Sequence, residues 1–223
     1  MLLSILMFFF SSGAQALFSA QPLIGRPEIV RVEFENGWVC SGIFIDENTL
    51  LTAAHCLTDS KAVAIYSEHD TVVPVKIQKF VRHPKFNDQY WPAYDIGIIK
   101  TTKLAKLSEQ VIIATESPIH GKAKLFGCGK TELANGYSRT TGENSFIRIG
   151  AVLFFVALSE GQNSVIVAPN DSGGPAFDFF SGELIGIATT TSSVSRKFPA
   201  WSTATSLVSE ENRTFVLSHL GSN

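Results

Sequence analysis

The chain has 223 residues, a formal net charge of −2 and 17 % charged residues. That length suits one large domain or two small packed ones, with ample chain for a core. The near-neutral balance and the lack of any Lys/Arg-rich run argue against a polyanionic partner such as a nucleic acid. Phe, Gly and Pro are well represented and the apolar runs are short, a mix that favours strands and turns over long helices.

Residues 1–16 read as a secretory signal. Leu2 to Phe10 is almost wholly apolar, and Ser11-Ser12-Gly13-Ala14-Gln15-Ala16 follows, with an Ala-x-Ala cleavage pattern after Ala16. The stretch is too short for a membrane span; a buried N-terminal helix is the alternative. Later, Ile149 to Leu158 is apolar but fits a buried strand. The mature chain is therefore expected to be exported and soluble, free of the membrane once the signal is removed. Of three cysteines, Cys40 and Cys56 flank one compact segment and are expected to pair. Cys128 is left over, and a lone cysteine is more often buried and inert than reactive.

Residues 17–22 form a short pro-segment or spacer. Val30, Val32 and Phe34 alternate with Arg31 and Glu33, a half-buried strand pattern. Glu35-Asn36-Gly37 signals a hairpin turn. Val39 to Ile45 is the next strand, Asp46-Glu47-Asn48 its turn, and Leu50 to Thr52 the third strand. Ala62 to Tyr66, Val73 to Phe80 and Ile96 to Lys100 follow. About six short strands without a long helix read as a β-barrel or sandwich. Lys103 to Gly121 reads as a linker. The second set of strands is Ala123 to Phe126, Phe146 to Val156, Ser164 to Ala168, Ala176 to Phe179, Glu183 to Thr189 and Ala200 to Thr203. Ser209 before Glu210 and Glu211 reads as a helix N-cap with acids in the first turn. Phe215, Val216 and Leu220 then give the apolar face. The pattern is two β units of similar size and one C-terminal helix.

Three stretches carry chemistry. In Asn170-Asp171-Ser172-Gly173-Gly174-Pro175 a serine sits between an acid and two glycines. A serine hydroxyl becomes a nucleophile only when a base takes its proton. Backbone N–H groups exposed at such a bend can hold an oxyanion. Alone, the stretch reads equally well as a polar turn. In Thr52-Ala53-Ala54-His55-Cys56 the alanines leave room around an imidazole, and a Cys40–Cys56 bridge would fix the backbone beside it. Asp95 opens the apolar strand Ile96-Gly97-Ile98-Ile99, where a part-buried carboxylate needs a donor, and an imidazole N–H is suitable. The bland reading of Asp95 is a strand-start acid facing solvent.

These stretches, with His83-Pro84, together resemble the chymotrypsin/trypsin-like serine proteases over roughly Leu23 to Leu220. The order His55, Asp95, Ser172 is that family's order and differs from those of subtilisins and α/β-hydrolases. The resemblance implies an all-β fold: two packed antiparallel six-stranded β-barrels with a C-terminal α-helix. Residues 23–112 would form the first barrel and 113–223 the second barrel plus the helix. It implies that His55 acts as general base and then acid, that Asp95 orients it, and that Ser172 attacks the carbonyl. The N–H groups of Asn170 and Ser172 would form the oxyanion hole.

The chain also departs from the pattern. Asn170 stands where the family usually has Gly, and Asn tolerates the left-handed region better than most residues. Asp171 pairs, in the family, with a new N-terminal ammonium; the nearest match to that terminus is Leu23-Ile24-Gly25-Arg26, preceded by Pro22 rather than a basic residue. Ile166 lies six residues before Ser172, where trypsins carry Asp. Thr190 and Thr191 align with the Trp-Gly of the substrate-binding strand, and Ala200 with a pocket-wall Gly. Ile166, Thr190, Thr191 and Ala200 thus suggest a narrow apolar specificity pocket. Ala168 replaces a family cysteine. No metal-ligand spacing is present, so neither metal nor cofactor is expected. The expected function is a secreted, monomeric serine endopeptidase, not Lys/Arg-specific, acting on proteins or peptides. A catalytically weak homologue used for binding is the rival reading, and an esterase on the same scaffold a third.

Overall fold

A computed structural model describes residues 20–57, 62–67, 71–87, 91–102, 110–131, 136–156, 165–192 and 201–221. The signal-peptide reading and Ala200 lie outside these residues. The strands in chain order are β1 (Gln21–Pro22), β2 (Ile29–Phe34), β3 (Val39–Phe44), β4 (Thr49–Thr52), β5 (Ala62–Tyr66), β6 (Ile77–Arg82) and β7 (Gly97–Thr101). They continue with β8 (His120–Gly127), β9 (Lys130–Thr131), β10 (Gly136–Tyr137), β11 (Thr140–Ile149) and β12 (Val152–Val156). The last three are β13 (Pro175–Asp178), β14 (Leu184–Thr191) and β15 (Trp201–Ser206), followed by helix α1 (Glu210–Leu217).

Two sheets hold the molecule. The first is six-stranded in the order β5-β2-β3-β4-β7-β6. In the second, β11-β12-β15-β14-β13-β8 closes on itself because β8 also pairs with β11, and β1 adds to the β11 edge. This is the all-β architecture expected, with two six-stranded barrel-like sheets and one terminal helix. Closure removes the unpaired edges that open sheets expose. The interior of the first sheet packs Val30, Val32, Phe44, Leu50 and Ile99. That of the second packs Leu125, Phe146, Leu153, Phe155 and Ile185. A third cluster joins them: Ile43, Leu51 and Ile98 from one sheet meet Phe126, Phe177 and Ile187 from the other, with Phe215 and Val216 of α1. Each fully buried side chain of this size contributes about 1.5–3 kcal/mol, so the junction is as much a core as either sheet.

Local signals explain the turns. Asn36 Oδ1 accepts from the Trp38 N–H at 3.0 Å, and Asp46 Oδ1 from the Asn48 N–H at 2.8 Å, the side-chain turn mimicry that favours Asn and Asp there. The expected single strand Phe146 to Val156 is instead a hairpin. Gly150 takes φ +59°, and Ile149 faces Val152 across the turn; the continuous apolar run hid a glycine that turns the chain. Of the expected strand Ser164 to Ala168, Ser164 lies outside the described residues, and 165–168 hold one bridge residue, Ile166. Its neighbour Val165 instead hydrogen-bonds β11, through Glu143 O and Asn144 Nδ2. Val73 to Phe80 shortens and shifts to β6. Ser209 has the extended backbone of an N-cap but no capping bond; its hydroxyl donates to Ser206 O at 3.3 Å.

Candidate active site

The site is built at the junction of the two sheets. β4 ends at Thr52, and the chain turns through one 3₁₀ turn, Ala54–Cys56. Cys40 of β3 and Cys56 form a disulfide, so the turn carrying His55 is bolted to the neighbouring strand, as expected. Cys128 is free and buried; burial pushes its thiol up to about 12, which keeps it protonated and inert at neutral pH.

Asp95 enters from the loop before β7 and is fully buried. Its Oδ1 accepts the His55 backbone N–H at 2.8 Å and its Oδ2 meets His55 Nδ1 at 2.6 Å. An ionised carboxylate only accepts, so Nδ1 carries the proton and Nε2 of the neutral ring keeps its lone pair. That is the tautomer a base on Nε2 requires. The solvent-facing reading of Asp95 is therefore corrected by its burial and its donors. A third donor was not anticipated: Trp91 Nε1 bonds Asp95 Oδ2 at 2.9 Å. The indole also stands edge-on to the His55 ring, with centroids 6.4 Å apart at 84°. Its only sequence signal was an aromatic four residues before the acid.

Ser172 comes from the loop between Ala168 and β13. Its Oγ donates to Thr189 O at 3.3 Å. It shares a cleft of about 390 Å³ with His55, lined also by Trp38, Val39, Tyr137 and Asn170. Asn170 adopts φ +73°, the left-handed conformation its residue type tolerates. The loop is stitched internally by Asp171 N–H to Ala168 O (3.1 Å), Gly173 N–H to Ala188 O (2.8 Å) and Gly174 N–H to Asp171 O (2.8 Å). The N–H groups of Asn170 and Ser172 have no acceptor among the described residues. Two unsatisfied donors bordering the cleft suit an incoming anion.

Asp171 is fully buried. Its carboxylate accepts from Gly129 N–H and Ala168 N–H, each at 2.9 Å. A Cβ on Gly127 would lie 2.0 Å from Asp171 Oδ1, so only glycine leaves the carboxylate room. Leu23, the expected terminus, instead continues from β1 and donates its N–H to Arg139 O at 2.9 Å. Of the expected pocket residues, Ile166 is buried, and Thr190 and Thr191 end β14 opposite Thr203 and Ser202. The β13–β14 ladder stops at the pair Pro175–Ile187, leaving one side of Thr190–Thr191 without a strand among the described residues. The metal-ligand geometry of Cys40, His55 and Cys56 is that of the disulfide beside the imidazole, and oxidised sulfurs are not thiolate ligands.

α1 braces the loop that delivers Trp91 and Asp95. Asn212 Nδ2 donates to Ala93 O at 2.9 Å, Tyr94 OH to Glu211 Oε2 at 2.7 Å, and Lys85 Nζ to Glu211 Oε1 at 2.5 Å. The Lys85 and Tyr94 bonds hold the Glu211 carboxyl below its usual range. From β15, Thr205 Oγ1 donates to Pro92 O at 2.6 Å.

The trypsin family model matches residues 19–209. Chymotrypsin-like elastase family member 1 of Macaca fascicularis is 25 % identical over 231 residues, covering 84 % of both chains. Mouse chymase is 30 % identical over 57 % of this chain and 52 % of its own, and venom serine protease 34 of Apis mellifera 29 % over 53 % and 33 %. The alignments with the first relatives span between a third and about half of those proteins. Among solved structures, mouse neuropsin superimposes with a TM-score of 0.68 at 18 % identity, over 89 % of this chain and 97 % of that one. A Glu endopeptidase superimposes at 0.70 with 15 % identity, over 90 % and 97 %; both likenesses concern the fold. The family match across most of the chain places it in the trypsin family.

Proposed function

We propose that this chain is a serine endopeptidase in which Ser172 is the nucleophile, His55 the base and Asp95 its orienting partner. The supporting observation is the buried Asp95 carboxylate holding His55 Nδ1 at 2.6 Å, which leaves Nε2 toward the cleft shared with Ser172. His55 takes the Ser172 proton as Oγ attacks the substrate carbonyl, then returns it to the leaving amine. The N–H groups of Asn170 and Ser172 hold the developing oxyanion. Ser172 Oγ rests on Thr189 O in the free protein and must rotate toward Nε2 on substrate binding, a tightening common in unliganded sites.

An extended substrate pairs along Thr189 to Thr191, beside which the β13–β14 ladder has ended among the described residues. Ile166 supplies no counter-charge for Lys or Arg, so cleavage after small or aliphatic residues is favoured; Thr190, Thr191 and Ala200 complete that pocket. Asp171 takes a new N-terminus at Leu23 if the spacer is removed, and the protein is exported by way of residues 1–16. Among the described residues no helix is long and apolar enough to cross a membrane. The protein acts as a monomer on proteins or peptides, with no cofactor and no nucleic-acid partner.

Covalent labelling by a fluorophosphonate probe, abolished by Ser172→Ala, is the expected result. A folded, mature protein that does not label would instead favour a binding role for the same scaffold. A peptide library cleaved chiefly after Arg would overturn the pocket assignment.

A further inference from the structure

We propose that Trp91 is a positioning residue for the His55–Asp95 pair, acting through the hydrogen bond from its indole N–H to Asp95 Oδ2. The proposal rests on the reading of His55 as base.

Asp95 is fully buried, and a buried carboxylate must be met by donors. It receives three: His55 N–H on Oδ1, and His55 Nδ1–H and Trp91 Nε1–H on Oδ2. Two of these belong to the residue being oriented. The His55 backbone N–H ties Oδ1 to the 3₁₀ turn, but Oδ2, the oxygen that meets the imidazole, has Trp91 as its one donor outside His55 among the described residues. Without that donor the carboxylate could pivot about Oδ1, and the ring would lose its aim at Ser172. No other ionisable side chain among the described residues bonds His55 or Asp95.

Trp91 is itself anchored. Its N–H donates to Asn87 O at 3.1 Å. The next three residues are held by the second sheet and α1: Pro92 O by Thr205, Ala93 O by Asn212, and Tyr94 OH by Glu211. The indole and imidazole planes also meet at 84°, with centroids 6.4 Å apart. When His55 takes the serine proton, the new imidazolium needs Asp95 to remain ionised and in place.

The test separates hydrogen bond from packing. Trp91→Phe keeps an aromatic ring and removes the donor. Benzothienylalanine at position 91 keeps the indole outline with sulfur in place of N–H. Both are expected to lower kcat roughly 10- to 100-fold, the range for a hydrogen bond to a charged group, with KM within about twofold. Wild-type kcat in either variant overturns the proposal, because a packing role survives both changes.

A second readout does not depend on catalysis. In ¹⁵N-labelled Ser172→Ala protein, the Trp91 indole N–H should be protected from exchange, and its shift should follow the protonation of His55. Trp38→Phe and Trp201→Phe assign it by elimination if Trp91→Phe does not fold. A rapidly exchanging, pH-insensitive Trp91 indole overturns the proposal. Failure of wild-type protein to label with fluorophosphonate would count against the nucleophile instead, and leaves this spectrum readable.

Discussion

Ser41 of the first sheet holds Ser172, in the loop before β13 of the second, directly, main chain to main chain: the Ser41 N–H donates to the Ser172 carbonyl at 2.7 Å. The same residue's hydroxyl donates to Asn170 O at 3.1 Å and accepts the Cys128 N–H at 2.8 Å. Its carbonyl accepts Thr52 Oγ1 at 2.8 Å. One fully buried serine thus fixes the loop carrying Ser172, the loop at Cys128 and the end of β4.

Ser41→Ala leaves the buried Cys128 N–H and Asn170 carbonyl without that partner. A buried polar group stripped of its hydrogen bond costs about 1–3 kcal/mol. The expected outcome is a loss of about 2 kcal/mol in urea unfolding, with unchanged m-value. The Asn170 peptide also loses its anchor, so kcat should drop more than KM rises. Full stability in the variant would mean that water or a shifted backbone replaces the hydroxyl.

Asn170 at φ +73° is the position where the chain departs from glycine without departing from geometry. A left-handed residue other than Gly or Asn carries strain of order 1–3 kcal/mol. Asn170→Gly should therefore label with fluorophosphonate at least as fast as wild type, and its stability should change by less than about 1 kcal/mol. Asn170→Val should lose stability and most of its labelling rate, since a β-branched residue resists this region. Equal labelling by the Gly and Val variants would show that the left-handed conformation does not govern how the Asn170 N–H is presented.

The Cys40–Cys56 bridge closes a loop of sequence separation 16. By loop-closure entropy such a bridge contributes about 3 kcal/mol. It also ties the 3₁₀ turn bearing His55 to β3. The Cys40→Ala/Cys56→Ala variant should lose roughly that stability and should label slowly even where it remains folded. A variant that unfolds at the wild-type urea midpoint would rule out this role for the bridge.

The three chemistry-bearing stretches were legible because each is short and local, and their order adds information that none has alone. His55 and Asp95 were paired by the order and motifs of the family resemblance; the residues alone left a solvent-facing reading of Asp95 open, which its burial removes. The strands of the first sheet were legible from alternation, as at Val30, Val32 and Phe34. What was not legible depends on long-range partners. Trp91 reads as any loop aromatic until Asp95 is placed beside it. Ser41 reads as a polar residue in an apolar strand until the second sheet brings Asn170 and Ser172 onto it. Phe146 to Val156 reads as one strand because its apolar run carries no polar turn residue, and only Gly150 breaks it. Ser164 to Ala168 has strand composition but makes only one bridge.

His83 lies under the same loop that delivers Asp95. It is buried, stacked on Tyr94 with centroids 5.0 Å apart and edge-on to Phe215 of α1 at 4.8 Å. Its Nδ1 accepts the Lys85 N–H at 3.2 Å. Burial lowers its affinity for a proton below the ordinary value of 6.5, and the Glu211 carboxylate opposes this in part. In the unfolded chain His83 protonates near 6.5; in the folded chain it does so only at lower pH. The unfolded state therefore binds more protons in that window, and stability falls as pH drops below 6.5. The stabilising effect of keeping His83 neutral is complete above that value. One such group contributes a slope of at most about 1.4 kcal/mol per pH unit. His83→Asn should flatten the dependence of Tm on pH below about 6.5, even if it lowers Tm throughout by removing the stacked ring. Calorimetry across that range decides it: a variant whose Tm falls as steeply as wild type assigns the acid sensitivity to other groups.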